Sequence, residues 1–330
     1  MLDLVPIGSG STGTRAMRNS VELARLADRL GFARYWFAEH HGMPSIASSA
    51  PEILIDHAAS ATKRIRVGSG GIMLQNHVPL KVAEAFHTLE ALHPGRIDMG
   101  IGRAPGTDPT TSSALRPFDP NRFSEHLAEM RGLSAGTLPE DHPFHRVRVI
   151  PSDVLLPPIW ILGSSGASAA LAGQLGLGYS FARHFSPTPP APAIEAYRKS
   201  FQPSEQFPRS HVILGVAVVC ADTDKDAAYL AASNDLMWVR IRRGEFLPIP
   251  TPQEATAYPY TPQERAVADR ARSLLFVGSP TTVRTRIQEV VAETGADEVM
   301  VMSTIHGHAE RIHCYELLAD AFGTGEVAIP

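Results

Sequence analysis

Cysteine, net charge and long apolar segments are all scarce in this 330-residue chain, and each absence narrows what the protein can be. The two cysteines, Cys220 and Cys314, give neither a disulfide framework nor the spacing of a metal site. A net charge of −4 gives no electrostatic reason to expect a nucleic-acid or membrane partner. No apolar run could span a bilayer, and the N-terminus lacks the pattern of a signal peptide. We therefore expect a cytoplasmic protein.

Two common catalytic signatures are also missing. The segment GSGSTG (8–13) has the wrong glycine spacing for a dinucleotide-binding turn, so a nicotinamide site of the Rossmann type is not expected. A barrel lyase or aldolase would need a lysine at the end of a strand. The lysines lie instead in predicted loops or helices, at Lys63, Lys81, Lys199 and Lys225.

What the sequence does contain is a regular alternation of short apolar segments with longer amphipathic ones, which is typical of βα units around a parallel sheet. The predicted strands are 2–8, 33–39, 64–70, 96–102, 158–163, 178–182, 211–220 and 296–303. The predicted helices are 17–30, 51–61, 80–92, 121–132, 166–175, 191–200 and 308–322. Eight strands with intervening helices predict one α/β domain over residues 1–330, a (β/α)8 TIM barrel with insertions.

Two segments break this regularity. A proline-rich stretch at 138–158 is interpreted as an insertion. Residues 242–272 contain five prolines and few apolar residues in register, and we interpret them as a mobile loop after strand seven.

The end of the second strand carries two adjacent histidines, at the barrel end where active sites of this fold lie. Neighbouring residues on a strand point to opposite faces, so if Ala38 faces the barrel lumen, His40 does too, while Glu39 and His41 point away. The pair is therefore a poor chelate, and no other spacing suggests a metal site. A single functional histidine and a pair of satisfied polar residues both remain open.

A possible anion site follows the fifth strand. Within 161–176 an apolar strand runs into Ser164 and Ser165 and then into a helix, whose free N–H groups, with the hydroxyl of Ser168, favour an anion. Ordinary N-capping explains these serines equally well. Arg103, at the end of the fourth strand, could bind a phosphate or form a surface salt bridge.

Glycines are concentrated at the same ends of strands three and four, in GSGG (68–71) and at Gly100 and Gly102. Glycine within a strand often marks close approach by a ligand or by another backbone. Space for a flat ring and tight strand packing are both consistent with this pattern.

These segments together resemble a known family, the bacterial-luciferase-like flavin-dependent monooxygenases. The similar segments are AEHH (38–41), 66–108, 161–177, 277–287 and 296–301. They follow one another in the right order over nearly the whole chain, and PGRIDMGIGR (94–103) is the most specific. The resemblance is closest to single-chain actinobacterial members, some of which tailor polyketides.

The resemblance implies roles for individual residues. His40 would be the acid/base of flavin oxygen chemistry, and a non-prolyl cis peptide, Gly70–Gly71, would lie under the flavin ring. Gly102 replaces a cysteine of some luciferases, and Ser164 replaces a glutamate. Arg103, Ser165 and Ser168 would hold the FMN phosphate. The implied cofactor set is Glu39, Gly70, Gly71, Gly102, Arg103, Ser164, Ser165 and Ser168.

The resemblance also implies a reaction. Reduced FMN from a separate NAD(P)H:flavin reductase would react with O2 through a C4a-(hydro)peroxyflavin and oxygenate a small organic substrate, such as a polyketide, aldehyde or ketone, and the loop at 242–272 would close over the site. Family habit and the apolar faces of the second and third helices imply a homodimer. A deazaflavin-dependent dehydrogenase and a non-catalytic flavin-binding protein are the alternatives.

Overall fold

The computed structural model describes residues 1–116 and 119–323 of the chain. The strands in these ranges are β1 (Leu2–Asp3), β2 (Arg34–Phe37), β3 (Arg66–Met73), β4 (Ile97–Gly102), β5 (Ile159–Gly163), β6 (Gly178–Ala182), β7 (Val212–Cys220), β8 (Leu275–Gly278) and β9 (Glu298–Met302). The helices are α1 (Gly13–Arg29), α2 (Pro51–Ala61), α3 (Pro79–Leu92), α4 (Pro109–Leu115), α5 (Phe123–Ala135), α6 (Gly166–Gln174), α7 (Pro190–Ser200), α8 (Asp224–Arg242), α9 (Pro252–Ala257), α10 (Pro262–Ser273), α11 (Pro280–Thr294) and α12 (His308–Phe322).

Eight of these strands close a parallel barrel. β1 to β7 pair in chain order, β7 pairs with β9, and β9 returns to β1. Since helices separate the strands along the chain, this is a (β/α)8 TIM barrel, and the predicted fold is confirmed. β8 lies outside the ring and extends the sheet along the final residues of β7.

Alternation along the strands divides the apolar side chains into two layers. On β4, Ile97, Met99 and Ile101 are buried in the core between barrel and helices, on one face as predicted. On β2 and β5, Trp36 and Trp160 belong to a second cluster inside the lumen. Successive side chains of a strand point to opposite faces, so one lumen-facing residue on a strand shows which of its other residues also face the lumen.

A network of buried charges lies at the amino end of the strands. Arg34 pairs with Asp98 and with Glu298, each at 2.7 Å, and Arg66 pairs with the other oxygen of Asp98 at 2.7 Å. The indole Nε1 of Trp36 donates to Asp98 at 3.0 Å. A cavity of about 240 Å³ adjoins this network. Active sites of this fold lie at the carboxyl ends of the strands, so we place the functional site at the end opposite this network.

The segment 242–272, which we interpreted as a mobile loop, contains helical structure. It contains α9 and α10, which begin with Pro252 and Pro262 at their first turns and are capped by Thr251 and Thr261. Proline is favoured at a helix start because backbone N–H groups of the first turn have no partner within the helix, so the absence of one in proline costs nothing. The mobility of the segment stays a prediction. The insertion at 138–158, which the structure describes throughout, has neither helix nor strand.

No helix within the described ranges combines the length and the apolar character that a membrane span requires.

Candidate active site at the carboxyl end of the barrel

His40 follows β2 on the lumen side of the chain, in the same alternation as Trp36 and Ala38. Its backbone N–H donates to the carbonyl of Ser48 at 2.9 Å, which fixes the direction of the residue. Its Nδ1 is buried and has no hydrogen-bond partner among the described residues. Burial lowers the pKa of His40 below its usual value, although the carboxylate of Glu39 opposes this. The ring is therefore a neutral imidazole near pH 7.

Glu39 and His41 point away from the lumen, as predicted. The buried carboxylate of Glu39 accepts from His41 Nε2 at 2.8 Å, from His77 Nε2 at 2.9 Å, from Asn76 at 3.0 Å and from the backbone N–H of Met73 at 2.8 Å. Burial alone would raise the pKa of Glu39, but the hydrogen bonds from His41 and His77 lower it to about 2.

The sequence left open whether this pair holds a functional histidine or only satisfied polar residues, and the two histidines differ in this respect. His41 is a satisfied polar residue, whereas His40 has an unpaired nitrogen. Glu39 holds the end of β2 against the connection from β3 to α3, and its assignment as a cofactor contact stays a prediction.

The Gly70–Gly71 peptide bond is cis, as expected from the resemblance. A Cβ on Gly71 would lie 2.7 Å from the carbonyl oxygen of Gly100, and one on Gly100 would lie 2.1 Å from that of Ser69. Tight strand packing therefore explains these glycines without a ligand. At Gly102 an added Cβ would meet only the flexible end of Met73. The role of these glycines beneath a flavin ring stays a prediction.

The candidate anion site lies at the ends of two neighbouring strands. β4 and β5 pair directly, so Arg103, after β4, and Ser164, after β5, lie at the same edge of the barrel. Ser165 caps α6 and accepts from the backbone N–H of Ser168 at 3.5 Å, and the Ser168 hydroxyl donates to the Ser165 carbonyl at 2.9 Å. Ser165 therefore acts as the N-cap of α6, in line with the capping alternative.

Two further observations leave room for an anion there. A Cβ added to Gly166, the first residue of α6, would meet nothing within 4 Å. The guanidinium of Arg103 is exposed and forms no ion pair or hydrogen bond with any residue in the described ranges, so the salt-bridge alternative is not observed there. A helix N-terminus beside a free arginine suits a phosphate.

His184 lies at the same end of the barrel, after the sixth strand, where the sequence places it with Arg183 without assigning it a role. It follows β6, which lies opposite β2, with three strands between them on either side of the ring. Its ring lies against Gly215 of β7, where a Cβ would be 2.7 Å from Nδ1. That nitrogen is buried without a hydrogen-bond partner. Burial lowers the pKa of His184 to about 4, opposed by the adjacent backbone of Gly215 and helped slightly by His40. The glycine within β7 was the available signal.

The neighbouring Arg183 is turned to the outside of the barrel. Its guanidinium lies 4.3 Å from the centroid of the Phe276 ring and donates to the carbonyl of Leu274 at 3.2 Å. In the part of the chain that the structure describes, no three histidine, cysteine or carboxylate side chains form a group able to hold a metal ion. The arrangement offers two neutral imidazoles and a candidate anion site.

Comparison with known proteins gives consistent matches over the full barrel. The family model described as luciferase-like monooxygenase matches residues 1–298. An Escherichia coli protein named luciferase-like monooxygenase is 41% identical over 323 residues, covering 97% of this chain and 95% of its own. The crystal structure of apo-MsnO8 superposes with a TM-score of 0.88 at 38% identity and 98% coverage of both chains.

A solved FMN complex has the same fold. The oxygenating constituent of 3,6-diketocamphane monooxygenase from Pseudomonas putida, a type II Baeyer–Villiger monooxygenase in complex with FMN, gives a TM-score of 0.73 at 19% identity. The match covers 100% of this chain and 99% of that one.

Proposed function

Since this chain belongs to the luciferase-like monooxygenase family, we propose that it is a flavin-dependent monooxygenase using reduced FMN from a separate NAD(P)H:flavin reductase. The observation that carries the proposal is His40, a buried imidazole that faces the lumen with an unpaired Nδ1. It lies at the same barrel end as the cis peptide and the candidate anion site. FMN bound to the structurally similar diketocamphane monooxygenase supports the choice of cofactor.

The residues at the barrel mouth fit FMN. Arg103 and the amino end of α6, with Ser165 and Ser168, would hold the phosphate, because a free guanidinium and unpaired helix N–H groups both favour an anion. The Gly70–Gly71 peptide would lie beneath the ring system. When bound, reduced flavin supplies the electrons that reduce O2, so that one oxygen atom enters the substrate and the other leaves as water.

His40 would manage the proton that this reaction requires. A neutral imidazole can accept a proton near pH 7 and return it afterwards as imidazolium, and its burial keeps bulk water from competing. Its Nδ1 has no protein partner to compete with a bound group.

The segment after α8 would help to exclude water. Its residue Ile249 donates to the carbonyl of Ile7 at 2.9 Å and accepts from the N–H of Ser9 at 2.8 Å, so it lies against the loop that follows β1 at the barrel mouth. We propose that this segment closes over the bound flavin, a gating role.

The first test is an anaerobic titration with reduced FMN, followed by rapid mixing with O2. We expect binding, and then a transient absorbance distinct from both reduced and oxidised flavin. His40→Ala should bind reduced FMN but shorten the transient's lifetime by roughly 10²-fold, the usual scale of a lost proton-transfer group. His313→Ala, an exposed histidine paired with Asp222, is the matched control.

Each outcome of this test has a distinct meaning. Binding without a transient would indicate a dehydrogenase or a flavin-binding protein, and an absence of binding would contradict the flavin assignment.

A deazaflavin with a longer anionic tail would require more free cations near the site. Arg183 is occupied by Phe276 and Leu274, so it does not favour that alternative.

A further inference from the structure

We propose that His184 is a specificity-determining residue of this site, whose imidazole binds the carbonyl or hydroxyl oxygen of an otherwise apolar organic substrate. The inference rests on the proposed function, because the substrate is the molecule oxygenated at the barrel mouth. It adds a substrate class, which the family membership leaves open.

The first argument is that a ring nitrogen of His184 has no hydrogen-bond partner. Nδ1 of His184 is buried against the backbone of Gly215, and Nε2 makes no hydrogen bond with any residue within the described ranges. A polar nitrogen without a partner in a largely buried ring is costly, so native structures rarely keep one unless a ligand or a water completes it.

The second argument is that β7 makes room for the ring. β7 is apolar throughout, and its lumen-facing residue at the level of Ala182 is Gly215, paired with that residue across the sheet. The His184 ring occupies the space that a side chain at Gly215 would take. Nδ1 faces the backbone of Gly215, so Nε2 is the ring nitrogen left for a ligand. The position of the imidazole is therefore fixed by the fold.

The third argument concerns the location of the ring in the barrel. Because β2 and β6 are opposite strands of the closed ring, His40 and His184 approach the mouth from opposite sides. A substrate held at His184 would then extend across the mouth towards His40 and the proposed flavin site. His40 could then act beside the flavin, while His184 binds the substrate.

The apolar part of the substrate follows from the neighbour of His184. Phe185 packs edge-on against the His184 ring, with centroids 4.8 Å apart, and is 54% exposed. An exposed aromatic ring beside an unpaired polar atom is typical of a ligand pocket that fixes one polar group and covers an apolar body. A neutral imidazole offers one donor and one acceptor, so it can bind either a ketone or an alcohol.

The test uses two isosteric probe trios on enzyme loaded with reduced FMN under nitrogen. One trio is cyclooctanone, cyclooctanol and methylenecyclooctane, and the other is acetophenone, its alcohol and α-methylstyrene. Dissociation constants are measured by calorimetry for wild type, His184→Leu and His184→Gln. Within at least one trio, wild type should bind the ketone or the alcohol about tenfold more tightly than the hydrocarbon. The ketone and alcohol arms show which oxygen the site prefers.

His184→Leu should lose this preference and His184→Gln should retain most of it, since glutamine keeps a donor and an acceptor. The affinity for reduced FMN should stay within about twofold in both variants. Gly215→Ala, which displaces the ring by its Cβ, should reproduce the loss and serves if the leucine variant does not fold.

Three results would overturn the proposal: no preference in wild type with either trio, an unchanged preference in His184→Leu, or loss of reduced-FMN binding in that variant. If wild type fails to bind reduced FMN, the proposed function fails. The preference can still be measured in the flavin-free protein and decides the role of His184 separately.

Discussion

His40 and His41 are neighbours in the sequence with opposite surroundings, and the difference follows from strand alternation. The lumen-facing ring keeps an unpaired nitrogen, while the outward-facing ring donates to Glu39. This contrast could be predicted because the backbone is extended through β2 and the rule of alternation holds. The direction of the His184 side chain could not be predicted in the same way, since the chain turns after Ala182 and alternation no longer applies there.

The network around Glu39 predicts a specific pH dependence of stability. The pKa of Glu39 is lowered from 4.5 to about 2 in the fold, so its ionised form stabilises the protein above pH 4.5 and this contribution is lost as the pH falls towards 2. We expect the free energy of unfolding of wild type to fall by about 2 kcal/mol more than that of Glu39→Gln between about pH 5 and about pH 3.

Denaturant titrations at a series of pH values provide the measurement, and Glu140→Gln, an exposed glutamate, is the control. Parallel pH profiles for wild type and Glu39→Gln would show that the carboxylate is not held in its ionised form by these hydrogen bonds.

At the scale of the element, the contact between β3 and β4 leaves no space for a side chain at Gly71 or Gly100. Gly100→Ala would place a Cβ 2.1 Å from the carbonyl oxygen of Ser69, which is backbone and cannot rotate away. We expect a loss of about 1–3 kcal/mol in the free energy of unfolding, the usual cost of overpacking. Gly166→Ala meets no atom within 4 Å and should change stability by less than about 0.5 kcal/mol. Equal losses in thermal or denaturant unfolding would contradict the packing argument.

The start of α6 allows capping and anion binding to be separated. Ser165→Asp keeps a capping oxygen but places a negative charge where the phosphate would lie, and Ser165→Ala removes the cap. We expect the aspartate variant to keep its melting temperature and to bind reduced FMN at least about tenfold more weakly. Its affinity for reduced riboflavin, which lacks the phosphate, should be unchanged. The alanine variant should lose about 1 kcal/mol of stability. An equal loss of riboflavin binding in Ser165→Asp would mean that the residue does not contact the phosphate.

The elements that the sequence did not reveal have identifiable physical causes. Prolines at 242–272 suggested a loop, yet Thr-Pro-Gln-Glu occurs twice, at 251–254 and 261–264, and each copy starts a helix. In the second copy, Thr261 and Glu264 form a full capping box. β8 has only four residues and pairs outside the barrel, so it lacks the long apolar pattern of a barrel strand. The eight barrel strands were predictable because both of their faces are buried.

At the scale of the whole molecule, polar groups without partners lie at both ends of the barrel. At the amino end, Arg34 and Asp98 satisfy each other, but the buried Nε1 of Trp160, beside the cavity there, has no hydrogen-bond partner within the described ranges. At the carboxyl end, Nδ1 of His40 and the guanidinium of Arg103 have none within those ranges. The choice of the carboxyl end as the ligand end therefore rests on where active sites of this fold lie, not on pairing alone.

The outer surface leads to the remaining proposal, a homodimer. Ile53 on α2 is 67% exposed and Leu92 at the end of α3 is 61% exposed, on two helices that contact each other. Large apolar side chains exposed on neighbouring helices indicate an interface. We expect wild type to sediment as a dimer at micromolar concentration. Ile53→Arg with Leu92→Arg should weaken the dimer by on the order of 10²-fold or more, because each arginine would bury an unpaired charge.

Tyr229→Arg provides the control for this experiment. Tyr229 is a large side chain, 39% exposed, on α8, which follows β7, the strand opposite β3 in the ring. Because a single apolar side chain on a surface is ordinary, its replacement should leave the sedimentation coefficient unchanged. A wild type that sediments as a monomer would contradict the homodimer. Dissociation caused by Tyr229→Arg alone would instead place the interface at α8, on the opposite side of the barrel from α3.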